Sequence, residues 1–121
     1  MRHDKIIKAA ISALEDIKAR DIVVLDVKKM TSMFDKVIVA SADSARQSKA
    51  LSKNLQEKLK AIGSKVYGVE GEQTGEWVLV DLGSVVIHIM QPAIRQYYNL
   101  EELWSPPATK PRRRASKATA A

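Results

Sequence analysis

The 121-residue sequence predicts an α/β (α+β) domain in which helices cover a mixed five-stranded sheet. Three observations carry this expectation. Apolar residues recur at helical spacing in two long segments, β-rich runs stand between and after them, and two of those runs meet across a tight turn as a hairpin. The resulting order is α-β-β-α-β-β-β-α, with no internal repeat.

Each element has its own signal. Ile6, Ile7, Ala10, Ile11, Leu14 and Ile17 recur at helical steps, which predicts an amphipathic helix over about residues 3–19. Asp21 then opens the run Ile22-Val23-Val24-Leu25-Asp26-Val27, apolar on both faces apart from Asp26, the pattern of an inner strand covered on both sides. An irregular segment from Lys28 to Asp35 carries the loop chemistry of Thr31, Ser32 and Asp35, and Val37-Ile38-Val39-Ala40 follows as a second strand.

Asp43 or Ser44 can cap the next helix, whose buried face is Ala50, Leu51, Leu55, Leu59 and Ile62 and whose left-handed stop is Gly63. Arg46, Lys49, Lys53, Lys58 and Lys60 lie on its outer face and read as solvated charge, with nucleic-acid contact as the competing reading. A short strand over residues 65–70 leads through a flexible Gly71-Glu72-Gln73-Thr74-Gly75 link into the hairpin. Past the hairpin, Pro92 suits the first turn of a helix carrying Ile94, Arg95, Tyr97 and Tyr98. Asn99 and Glu102 resemble a capping box for a last turn ending at Leu103-Trp104.

The hairpin has two unlike faces because side chains alternate along a strand. Val78, Val80, Val85, Ile87 and Ile89 make an apolar core face. Trp77, Leu79, Asp81, Val86, His88 and Met90 make a mixed face that suits a surface wet until a partner covers it. Trp77, Met90, Arg95, Tyr97, Tyr98 and Trp104, all of types enriched at binding hot spots, fall within 28 residues. For Trp104 and one of the two tyrosines, a core position is the simpler reading, since adjacent residues on a helix diverge.

Composition bounds the rest. With 45% hydrophobic and 28% charged residues, the chain has room for one domain, residues 1–104, and a tail, residues 105–121. The tail is rich in Pro, Ala and Thr and holds Lys110, Arg112, Arg113, Arg114 and Lys117 without an acid. Removing those five charges from the net +6 leaves +1 for residues 1–104. The tail is expected to be disordered, either as a solvated extension or as a loose contact to RNA phosphate. No apolar run approaches the ~18 residues of a membrane span, no export signal is visible, and the expectation is a soluble, cytoplasmic protein.

Catalytic residue sets fail on supply. There is no Cys and only His3 and His88, so cysteine catalysis and a paired-His metal site are excluded, and Gly83-Ser84 lacks a nucleophile-elbow context. Gly63-Ser64 followed by Glu70 and Glu72 has the spacing of a nucleotidyltransferase metal and triphosphate site, but Gly63 ends a helix, presenting carbonyls where phosphate needs amides. Glu70 and Glu72 are therefore read as turn carboxylates, with rim contacts to a basic partner as a further role. No catalytic residue, cofactor or metal is expected.

Glu70-Gly71, the run Gly75 to Gly83, Val85-Val86-Ile87-His88, Tyr97-Tyr98-Asn99-Leu100-Glu101 and Leu103-Trp104, with Asp21 to Val27 upstream, closely resemble the ribosomal silencing factor (Iojap-related) family over about residues 5–105. The resemblance implies a nucleotidyltransferase-like fold without the catalytic acids. It also implies a translational silencer that binds the fourteenth protein of the large ribosomal subunit, where the small subunit docks, and prevents subunit joining. The partner patch is then expected to comprise Trp77, Leu79, His88, Met90, Arg95 and Tyr98, with Glu70 and Asp81 facing basic groups. A homodimer of the free protein through the same face is a further expectation. The competing classes are an assembly factor acting on ribosomal RNA and a degenerate nucleotidyltransferase. Deletion of residues 106–121 is expected to leave the melting temperature unchanged and to weaken ribosome association modestly, mainly at low salt, in cosedimentation across a salt series.

Overall fold

The computed structural model describes residues 3–103. The elements are α1 (His3–Asp16), β1 (Arg20–Asp26), β2 (Lys36–Ser41), α2 (Ala45–Ala61), β3 (Gly68–Glu70), β4 (Trp77–Asp81), β5 (Val85–Met90), α3 (Pro92–Tyr98) and α4 (Leu100–Leu103). They form the expected mixed sheet, in the order β1-β2-β5-β4-β3. The β2–β5 pair is parallel and the other three pairs are antiparallel. A parallel pair needs a crossover, and α2 with the β3–β4 hairpin supplies it.

Both long helices cover one face. Leu14 of α1 and Leu51, Leu55 and Leu59 of α2 pack on Ile38 of β2 and on Val78, Val80, Ile87 and Ile89 of the hairpin. The hairpin parity read from the sequence holds, since Val78, Val80, Val85, Ile87 and Ile89 are all fully buried. A second cluster lies on the other face: Val27, Val37, Val39, Met90 and Leu100, flanked by Leu25, Phe34, Trp77 and Ile94.

Helix ends follow local chemistry. Ser44 is the N-cap of α2, its hydroxyl accepting from the Gln47 amide at 3.1 Å. Asp43 instead pairs with Arg20. Gly63, at φ +84°, stops the helix as expected, with Ser64 N–H bonded to the Leu59 carbonyl at 2.9 Å. The first helix is shorter than the 3–19 expectation. Lys18 takes φ +63°, and the Lys18→Glu15 and Ala19→Leu14 bonds close α1 in the same manner without a glycine to announce it. Ile17 packs against the core from beyond the helix end, so its place in the apolar periodicity is real while the helical conformation is not.

Three further expectations change. The first strand is an edge, not an inner strand: β1 pairs only with β2 and Val24 is 39% exposed. Its apolar pattern reflects cover on both faces, with Ile22 against the helices and Leu25 against the second cluster, and says nothing about lateral neighbours. Arg20, the register shift before Val23 and the Asp26–Lys36 ion pair mark it as an edge. The third strand begins at Gly68, because Lys65 and Val66 approach without pairing. Finally, the Gly71–Gly75 link is a closed turn and not a loose one. Gly75 N–H bonds the Gly71 carbonyl at 3.0 Å, and a Cβ on Gly71 would stand 2.0 Å from the Trp77 carbonyl oxygen.

Ile87→Ala is expected to lower unfolding free energy by about 3 kcal/mol through lost burial and a cavity in the helix-side core. A reduced denaturant midpoint at constant slope would register it.

Candidate partner-binding face

Strand register fixes which side chains share the face away from α1 and α2. One row runs Glu70–Leu79–His88–Val39, a second runs Trp77–Met90–Ser41, and a third runs Gly68–Asp81–Val86–Val37. The β1–β2 half of this face is roofed by Phe34 from the preceding loop and by Ile94 and Leu100 from α3 and α4. Trp77 and Leu79, toward the β3 edge, are only half-buried, and Glu70 is exposed.

That half-roof divides the expected patch. Trp77 and Tyr98 do meet, with ring centroids 4.8 Å apart, and Tyr97 stands edge-on to Tyr98 at 5.0 Å. Tyr98 is 51% exposed and Tyr97 80%, so neither is core, in contrast to the expectation for one of them. Trp104 lies outside the described residues. Trp77 donates its indole N–H to His88 Nδ1 at 3.0 Å, which requires the neutral imidazole and locks the indole plane.

Met90 does not belong to a wet surface. It is fully buried against Val27, Val37, Val39 and Leu100, because β5 is the central strand and the roof lies over its end. His88 is also largely covered, with 9% exposure, and burial pushes its pKa down to about 4. Arg95 is committed inward. Its guanidinium makes a two-pronged bond to Glu101, 3.0 Å on each prong, and a 2.7 Å bond to the Ser41 hydroxyl. It therefore fastens α3 and α4 to the end of β2 and leaves little for a partner.

The acidic residues divide as well. Asp81 accepts the Gly83 amide at 2.8 Å, which shapes the hairpin turn, and no other partner of its carboxylate occurs among the described residues. Glu70 shares the open face with Leu79, whereas Glu72 turns to the helix side and accepts from Ser52 Oγ at 2.7 Å and Gln56 Nε2 at 3.2 Å. Glu72 is a brace for the glycine turn and not a rim contact. The two glutamates thus face opposite sides of the sheet, which is not the geometry of a metal-binding pair. Among the described residues no group of three or more His, Cys, Asp or Glu could hold a metal ion, and no helix is long and apolar enough to cross a membrane.

Asn99 adopts the left-handed conformation at φ +48° and donates to Glu102 Oε1 at 2.8 Å. This is a side-chain pair in place of the reciprocal backbone bonds of a capping box. Met33 and Phe34, which fall in the irregular segment expected from Lys28 to Asp35, also belong to this face. Met33 is 79% exposed, and both residues stand beside Leu79 and His88. The adjacent apolar pair Met33-Phe34 in the segment Lys28 to Asp35 is the available signal.

The buried imidazole has a consequence for stability. The folded state holds the His88 pKa near 4, below the ordinary 6.5, so the unfolded chain binds more protons between those values. Stability is full above about pH 6.5 and falls until about pH 4, by about 3 kcal/mol. Denaturation of the parent and of His88→Gln across this interval should show the parent losing more stability, by about that amount.

The family model described as ribosomal silencing factor during starvation matches residues 1–121. A protein named ribosomal silencing factor from Chromobacterium violaceum is 55% identical over 104 residues, which covers 86% of this chain and 85% of that protein. The mouse protein named mitochondrial assembly of ribosomal large subunit protein 1 is 35% identical over 98 residues, 78% of this chain and 43% of that one. A crystal structure of a Chromobacterium violaceum protein superposes with a TM-score of 0.84 at 53% identity, over 88% of this chain and 91% of the other. A mixed sheet roofed by a short helical pair, a whole-length family match and relatives at this level of identity agree: the chain belongs to the ribosomal silencing factor family.

Proposed function

We propose that this protein represses translation by docking its aromatic, half-roofed face on the fourteenth protein of the large ribosomal subunit and so keeping the small subunit from joining. The observation that carries the reading is the Trp77–Tyr98 contact, a half-exposed aromatic ledge held by the His88 bond and bordered by Glu70 and Asp81. Large aromatic side chains lose few rotors on binding and dominate interface energetics. Carboxylates at the edge favour a basic partner. Family membership supplies the ribosomal context, and the mouse relative's name points to the large subunit.

Such a mechanism needs no chemistry. A compact body of about 100 residues has a radius of gyration of roughly 13 Å, so a bound copy stands a few tens of ångströms proud of the subunit surface. That bulk occupies a junction that must otherwise close. Trp77, Leu79 and Tyr98 make the contact, Glu70 and Asp81 face cations of the partner, and His88 and Arg95 act from beneath by holding Trp77 and α3. The protein works in the cytoplasm, where subunits meet. The free face can also pair two copies, a homodimer that subunit binding would dissociate, and the basic residues 105–121 add weak contacts to ribosomal RNA.

Tyr98→Ala is expected to weaken large-subunit binding by about thirtyfold or more with a melting temperature close to that of the parent. Trp77→Ala should lose at least as much binding and also some stability, because it leaves the His88 acceptor unpaired. Cosedimentation with purified large subunits, alongside thermal melts, measures both. Parent-like binding by Tyr98→Ala would refute the assignment of this face.

A further inference from the structure

Next to the aromatic ledge, between the hairpin and the β1–β2 loop, lies an open trough of about 360 Å³. Its walls are Met33, Phe34, Leu79, Val86 and Leu100, contributed by three separate parts of the chain. They are overwhelmingly apolar, and Asp81 stands among them. Glu70, in register with Leu79, adds a second carboxylate on the same face. Met33 is the most exposed large apolar residue of this wall, at 79%, and its unbranched thioether can adapt to the shape of whatever enters.

We propose that this trough is a second anchor point of the interface, which takes an aliphatic side chain of the ribosomal partner protein while a neighbouring lysine or arginine of that segment pairs with Asp81 or Glu70. The inference rests on the function proposed above and extends its surface to the β1–β2 loop. Charge chooses among occupants. Nucleic acid would bring phosphates against two carboxylates. A second copy would bring the same acidic face, Glu70 and Asp81 included, to the contact, whereas a basic partner brings complementary charge. An apolar pocket rimmed by acid beside an aromatic ledge is the complement of a basic segment with one protruding aliphatic residue.

The test uses the full chain with purified large subunits. Met33→Glu and the uncharged Met33→Ser should each weaken binding by ~10-fold or more, Met33→Leu should bind like the parent, and all three should melt with it because Met33 is exposed. If the parent binds and Tyr98→Ala weakens binding, but Met33→Glu and Met33→Ser bind normally, the trough is not an anchor and the docking function stands without it. If the Met33 variants alter only self-association in sedimentation, the occupant is a second copy and the inference is overturned. If the parent does not bind large subunits, the proposed function fails, and the trough proposal with it.

Discussion

The architecture depends on β5 being buried on both faces. All six residues from Val85 to Met90 are buried, paired in parallel with β2 on one side and antiparallel with β4 on the other. A strand in that position must be covered above and below, and the chain does this in two unequal ways. The helix side receives α1 and α2, whose leucines build the larger core. Among the described residues, the other side receives only the β1–β2 loop and two short helices. Seven residues of α3 and four of α4 cannot span five strands, so among the described residues the cover reaches Trp77 of β4 through Tyr98 and leaves Glu70 of β3 exposed.

That shortfall creates the candidate site. Along the boundary, packing and accessibility meet in one side chain: Trp77 is packed against the smaller core, bonded to His88, and still presents a ring beside Tyr98. A surface built on a rigid strand and fixed by buried hydrogen bonds loses little entropy on binding, which favours affinity from a small area. The Arg95–Glu101 pair sets how far the roof reaches, because it ties α3 to α4 while the third arm holds Ser41 at the end of β2. A charge that looks available in the sequence is therefore spent on positioning Tyr98 and Leu100.

Sequence periodicity determined a great deal. It gave the order of elements, the mixed sheet, the core face of the hairpin, the leucine stripe of α2 and its Gly63 stop, because each of these follows from local spacing and from which residue types tolerate which backbone. It also found the aromatic residues of the ledge, and the blocks around the hairpin sufficed to indicate the family.

Tertiary structure alone decided the rest. Edge or centre is a property of lateral pairing, which the alternation along β1 cannot encode when both its faces are partly covered. Exposure of the mixed face depended on a roof contributed by residues 27–35, distant in sequence from the hairpin, and by Leu100, which returns over it after α3. For that reason Met90 proved fully buried while Met33, placed by sequence in a mere connection, stands at the open trough. Parity along a strand says which side a residue takes, and only the packing of remote segments says whether that side meets water.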